Sequence, residues 1–258
     1  MIAQVNTVSR RGRFLRACRD VPCLSALLPA ELAAFGKTQP GRFFAGPTVA
    51  IDLACNTAWV AGHANGEELA SFLAICGVQR VRMTADPRFA PAGWQRVDIL
   101  HAFSLTAGEQ LLLPPADEAL WAECSLNWQP APGAVADFMY VGKPQTRRDD
   151  FYAELCAKRN HGCARVVTLE RGGMVVGTVG AYGFWQGEAY MACGMTSEEL
   201  RGRGAGGRMI VTLANALAAE GFTATFLARE ERTHFYTRLG FAAHGTIAQY
   251  AAPTQAEP

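Results

Sequence analysis

Arg201-Gly202-Arg203-Gly204-Ala205-Gly206-Gly207 is the segment of this chain best suited to chemistry. It falls between a predicted strand, Glu188 to about Thr196, and a predicted helix through Met209, Ile210, Leu213, Leu217 and Ala218 that stops at Gly221. Glycines in that position let successive backbone N–H groups turn toward one point, and a helix start adds unpaired donors and the positive end of a dipole. Such a nest suits a phosphate or a pyrophosphate. A glycine-rich connection that merely lets strand and helix pack closely accounts for the same letters.

Three phosphate ligands compete for the nest. Gly202, Gly204 and Gly207 satisfy the Gly-x-Gly-x-x-Gly dinucleotide pattern, and Glu230 lies near the offset of a ribose-binding acid. Only about fifty residues follow, too few to complete a doubly wound fold, and the preceding elements read as antiparallel hairpins. A nucleotide P-loop needs Gly-x-x-x-x-Gly-Lys-Ser/Thr, and the single Gly-Lys-Thr, Gly36-Lys37-Thr38, has Glu31 at its first glycine position. The third ligand is coenzyme A, with its pyrophosphate on the loop and its pantetheine arm along the strand before it.

Arg201 to Gly206 resembles the Arg/Gln-x-x-Gly-x-Gly/Ala loop of the GNAT acetyltransferase superfamily, and Phe235-Tyr236-Thr237-Arg238-Leu239-Gly240-Phe241 is similar to that family's C-terminal Phe-Tyr-x-x-Leu-Gly-Phe segment. The resemblance covers roughly residues 137–245, with the predicted hairpins of 163–196 matching the family's antiparallel strands. More loosely, the layout resembles two-domain members in which a degenerate GNAT-like half precedes the active one. It implies a mixed, mostly antiparallel sheet flanked by helices. It also implies acetyl-CoA as acyl donor, with the N–H groups of Arg201, Gly202, Arg203, Gly204, Ala205 and Gly206 on the pyrophosphate and Met195 and Thr196 lining the pantetheine. Tyr236 falls on the tyrosine that in this family often protonates the departing thiolate. Three positions depart from the pattern: Arg229 where the family commonly has Asn, Arg232 where it has a small residue, and Glu198 where it has Pro.

Acetyl transfer from a thioester to an amine needs a neutral amine, a polarised carbonyl and an exit for the thiolate, and direct attack in a ternary complex supplies these without a covalent enzyme intermediate. Tyr236, a phenol with an ordinary pKa near 10, can return a proton to a thiolate. Glu188 is the candidate base, directly or through water, with Glu230 as the alternative; both also read as solvated strand-end carboxylates. A backbone N–H near Met195 or Thr196 could polarise the carbonyl. Tyr182, Phe184, Trp185 and Tyr190 gather on one hairpin, either as acceptor pocket or as hairpin packing. Nucleophilic hydrolysis lacks a Gly-x-Ser-x-Gly elbow, and the five scattered histidines lack a metal-binding spacing, so a metal-free site is expected.

These residues require two units to position them, an N-terminal domain over 1–130 and a second over 131–258, both α/β. In the first, strands at 48–53 and 57–61, an Asn65-capped helix ending at Gly77, and strands at 78–83 and 97–105 are expected, with 111–113 closing the unit. Pro130, Pro132 and Gly133 read as the linker, followed by a short strand at 137–141 and a helix at 148–159. In a chain of 258 residues, half hydrophobic and 18% charged, a net charge of +1 leaves no field for nucleic acid or an anionic membrane. No apolar run reaches the roughly 20 residues of a spanning helix. Ser9 to Leu15 echoes a twin-arginine export signal, but Arg16, Arg19 and Asp20 break the apolar stretch that must follow, so a basic amphipathic helix and a cytoplasmic protein are expected. The eight cysteines read as mostly reduced core residues. The expected function is an N-acetyltransferase acting on a small-molecule or peptide amine, with homodimerisation open; the alternative is a non-catalytic acyl-CoA sensor or interaction module.

Overall fold

The computed structural model describes residues 1–84 and 86–253. Two interleaved units make up the chain: residues 1–103 with 227–233 and 243–253, and residues 104–226 with 234–242.

The first unit starts with β1 (Ala3–Gln4), α1 (Val8–Arg19), α2 (Leu24–Phe35), β2 (Phe43–Ala45), β3 (Ala50–Asp52), β4 (Thr57–Ala61), α3 (Gly66–Ile75) and β5 (Arg80–Thr84). Most of β6 (Gln95–Leu105) and of the last strand, β12 (Ala242–Ala251), belongs to it too, in the strand order β1-β2-β3-β4-β5-β12-β6. α1 is the expected basic helix: Phe14 and Cys18 are buried, while Arg11, Arg13, Arg16 and Arg19 are exposed. α2, with Pro29 inside it, is apolar nearly all round and is buried nearly all round, as such a helix must be. β4 and β5 run parallel across α3, and Leu69 and Leu73 of α3 are packed with Val60, Val81 and Met83.

The second unit holds α4 (Glu118–Ala122), β7 (Cys124–Asn127), α5 (Pro132–Met139), α6 (Gln145–Asn160), β8 (Arg165–Arg171), β9 (Met174–Trp185), β10 (Glu188–Thr196), α7 (Ala205–Ala219), β11 (Thr223–Arg229) and α8 (Thr233–Arg238). The order is β11-β10-β9-β8-β7, antiparallel except for the parallel β10–β11 pair. It is the mixed, mostly antiparallel sheet with flanking helices that the motifs imply. Gly172 and Gly173 form the first hairpin turn with φ of 57° and 79°, the positive angles a two-residue turn demands. The second turn is Gln186-Gly187; Gly183, expected in that turn, lies inside β9.

Side chains five apart on β9 point to opposite faces. At Gly177 a Cβ would stand 2.8 Å from Sδ of Met209 on α7, so the glycine lets helix and strand close up. Tyr182 instead packs with Phe151 of α6, ring centroids 6.3 Å apart, and with Val135 of α5 and Leu155 of α6.

Two expectations are corrected. Residues 137–141 do not form a strand: 137–139 end α5, which Pro132 starts at its first turn, where a fixed φ and a missing N–H cost nothing. A short apolar run such as 138–141 cannot tell helix from strand by periodicity. Nor are the cysteines mostly core: Cys18, Cys23 and Cys163 are buried, while Cys55 and Cys76 are exposed at element ends; no disulfide joins them.

Arg165 at the start of β8 grips Glu220 at the end of α7 through two bonds of 2.6 and 2.8 Å, and the guanidinium holds that carboxyl below its usual range. A depressed carboxylate stabilises the fold above the ordinary carboxylate pKa and loses that contribution as pH falls through the lowered value. Because both side chains are substantially solvated, Glu220→Gln is expected to lower stability at pH 7 by under about 1 kcal/mol and to flatten the acid limb of the stability curve. Denaturant titrations at pH 7 and pH 3.5 measure both effects.

Candidate functional site

The glycine segment lies where the spacing put it. Ser197 follows β10, a short 3-10 turn covers Glu198–Leu200, and α7 opens at Ala205. Gly202 has φ +74° and Gly204, the residue before the helix, has φ +80° and ψ −13°, left-handed conformations that side chains with a Cβ resist. Arg201 and Arg203 donate their N–H groups to the carbonyls of Glu198 and Leu200, and Arg208 N–H makes the first helical bond to Gly204. Among the described residues, nothing accepts from the N–H groups of Gly202, Gly204, Ala205, Gly206 or Gly207. No side chain caps α7.

The equivalent turn in the first unit shows the opposite solution. There α3 also follows a strand and leads into a parallel partner. Asn65 caps it, its Oδ1 accepting from the N–H groups of Glu67 and Glu68 at 2.9 and 3.2 Å, and those two side chains bring negative charge to the first turn. An anion is excluded from α3 by its own cap and invited to α7 by the lack of one.

β10 itself is irregular along its length. Its pairing with β11 joins Glu188, Ala189 and Tyr190 to Thr223, Ala224 and Thr225, while the strand continues to Thr196. Its pairing with β9 shifts register between Tyr190 and Met191 and again between Ala192 and Met195. Within the second shift Cys193 has φ +56°, a bulge that re-aims the strand. Cys193 itself carries no sequence signal for this bend; Gly194 inside a predicted strand is the available one.

Of the predicted residues, Met195 and Thr196 end β10 beside the loop, and the Thr196 methyl would stand 3.5 Å from a Cβ on Gly206. Tyr236 is brought to the same region through its helix: Phe235 and Leu239 approach Gly207 at 3.6 and 3.3 Å from where a Cβ would sit. The Tyr236 ring itself is half-buried and packs on Phe226 at 4.6 Å. Glu188 occupies the opposite end of β10, paired with Trp185 and Thr223. Tyr182 is buried against Phe151, and Phe184 stacks edge-on with Phe222 at 5.1 Å, so these two aromatics pack the sheet. Arg229 ends β11 and pairs with Asp98 at 3.6 Å, and Glu230 and Arg232 are exposed in the turn after it.

Residues 111–113, expected to close the first unit, belong to the second and run along α7. Leu111 exchanges two bonds with the Asn215 side chain, and Asp117 donates its N–H to the carbonyl of Arg203 at 2.9 Å. Nothing local in the sequence signals this contact.

Residues 123–241 match the family model of the acetyltransferase (GNAT) family. Solved structures with the same fold include a GCN5-related N-acetyltransferase from Sphaerobacter thermophilus, 13% identical with a TM-score of 0.64, covering 97% of this chain and 94% of that one. A tandem GNAT protein from the clavulanic acid biosynthesis pathway is 14% identical, with a TM-score of 0.61 and 99% of both chains covered. A GCN5-related N-acetyltransferase from Kribbella flavida is 15% identical, with a TM-score of 0.58, covering 87% of this chain and 95% of that one. No curated protein sequence matches. Among the described residues no helix is long and apolar enough to cross a membrane.

Proposed function

We propose that this chain transfers an acetyl group from acetyl-CoA to the amine of a small molecule or peptide, a reading supported by the match of residues 123–241 to the acetyltransferase (GNAT) family model. The observation that carries the reading is the run of unpartnered N–H groups at Gly202 and from Gly204 to Gly207, set at an uncapped helix start. Gly206 sits against the end of β10, where a Cβ would be in ordinary contact with the Thr196 methyl at 3.5 Å, so the loop and the strand end adjoin. Bound to the chain, acetyl-CoA supplies an activated thioester.

The chain's own residues do the rest by positioning. The loop amides hold the diphosphate, and Met195 and Thr196 line the arm as it runs back along β10. That direction carries the thioester toward the bulge, where a main-chain N–H polarises its carbonyl. Glu188 lies five residues before Cys193, about 16 Å at roughly 3.3 Å per residue, and takes the amine proton through a chain of waters. Tyr236 returns a proton to the departing sulfur. No residue forms a covalent link to the acetyl group.

Calorimetric titration with acetyl-CoA, NAD and ATP tests the donor before any acceptor is known: acetyl-CoA is expected to bind and the other two not to. Release of free thiol against a panel of amines then tests turnover, and binding without turnover on any amine would favour an acyl-CoA sensor. Tyr236→Phe is expected to retain acetyl-CoA binding and to lose roughly a hundredfold in kcat, the scale of one general acid. Unchanged turnover across the pH range would remove Tyr236 from the mechanism.

A further inference from the structure

Residues 111–122 form a strap that crosses α7 and ends over the glycine loop, and neither the core nor the proposed chemistry accounts for it. We propose that this strap is a working part of the coenzyme site, clamping the loop in the conformation that leaves its amides open, with Asp117, Glu118 and Trp121 as positioning residues. The proposal rests on the reading that the loop from Gly202 to Gly207 holds a diphosphate.

The strap meets the loop at its weakest points. A run of glycines samples many conformations, and a nest binds an anion only in the one that gathers its amides. The carbonyl of Arg203, between the two left-handed glycines, is fixed by the N–H of Asp117, and its guanidinium lies 3.4 Å from the Asp117 carboxylate. The carbonyl of Pro115 closes against Gly204 so tightly that a Cβ would stand 2.3 Å away. One turn into the helix, Arg208 rivets the strap down. Its Nη1 and Nη2 donate to Glu118 at 3.0 and 2.5 Å, its Nε donates to the carbonyl of Pro114 at 3.2 Å, and its guanidinium sits 5.1 Å from the Trp121 ring. That side chain is only 13% exposed.

The charges make the same point. Arg203 and Arg208, the cations nearest the helix start, are both taken up by strap carboxylates. The anion is therefore gripped chiefly by main-chain amides, whose direction depends on backbone conformation, which is what the strap holds.

The full-length protein titrated calorimetrically with CoA, with pyrophosphate and with pantetheine tests this, since pantetheine lacks the diphosphate. In Glu118→Ala and in Trp121→Ala the Kd for CoA and for pyrophosphate is expected to rise tenfold or more, with pantetheine moving less than twofold. Glu118→Gln, which keeps an acceptor for Arg208, is expected to recover most of the loss. CoA affinity within twofold of the parent in both folded alanine variants would overturn the clamp. So would equal weakening for CoA and pantetheine, the mark of general loosening. A parent protein that binds no CoA removes the coenzyme reading itself and the clamp with it, an outcome distinct from a parent that binds and variants that bind equally well.

Discussion

Gly204→Ala is expected to lower stability by about 2–5 kcal/mol and to weaken acetyl-CoA binding by more than tenfold. Two costs add. A residue with a Cβ at φ +80° pays about 1–2 kcal/mol for the left-handed conformation, and overpacking adds about 1–3 kcal/mol. The second cost is unavoidable here because the atoms in the way are backbone, the Pro115 carbonyl oxygen at 2.3 Å and the Ala116 Cα at 2.8 Å. The chain relieves the clash by moving the loop, and each 1.4 kcal/mol of misdirected amide is a factor of ten in affinity. Gly202→Ala is the matched control. Its φ is +74°, but nothing lies within 4 Å of its Cβ, so it bears the conformational cost without the clash. Thermal melts and calorimetry on both variants separate the two contributions, and equal effects at the two glycines would refute the close approach.

Arg42→Ala is expected to remove about 3–5 kcal/mol, a large share of the roughly 5–15 kcal/mol that holds a domain together. Arg42 follows a loop into β2, with its side chain 10% exposed. Its guanidinium makes two bonds to Asp52, at 2.7 and 2.8 Å, and one to Glu31, at 2.7 Å, while lying over the rings of Phe35 and Phe43. Both carboxylates are more deeply buried than the arginine. Deleting the cation leaves two negative charges close together in a medium that solvates neither, and that penalty exceeds the value of the bonds themselves. Replacing all three groups together, Arg42→Met with Glu31→Leu and Asp52→Asn, is expected to recover most of the loss. Chemical denaturation of the single and triple variants decides the matter, and a triple variant as weak as the single one would show that the bonds, not the stranded charges, carry the energy.

Local features were legible because their causes are local. The left-handed angles of Gly172, Gly173, Gly202 and Gly204 follow from the residue that adopts them most readily, and the Asn65 cap from a side chain that reaches the amides two and three residues on. The loop, the helix after it and the Phe235 to Phe241 segment could thus be placed in order along the chain. Cys193 was harder: its positive φ comes from the register that β9 and β10 reach together, not from its own chemistry. The segment 137–141 failed for a different reason, since a short apolar run does not distinguish the two periods and the choice fell to packing against α6 and β9. Contacts such as Asp117 with Arg203 and Leu111 with Asn215 join residues 86 and 104 positions apart, and no spacing rule reaches that far.

By itself, then, the sequence determined that a strand leads through a glycine nest into an uncapped helix, and that an aromatic helix follows, because backbone angles and hydrogen-bond donors are properties of single residues and their immediate neighbours. Only the tertiary structure decided that β12 returns to the first unit, that a buried arginine ties two carboxylates there, and that a proline-bearing strap lies on the loop. Those outcomes depend on which distant surfaces bury each other, and burial is a property of the whole chain rather than of any stretch of it.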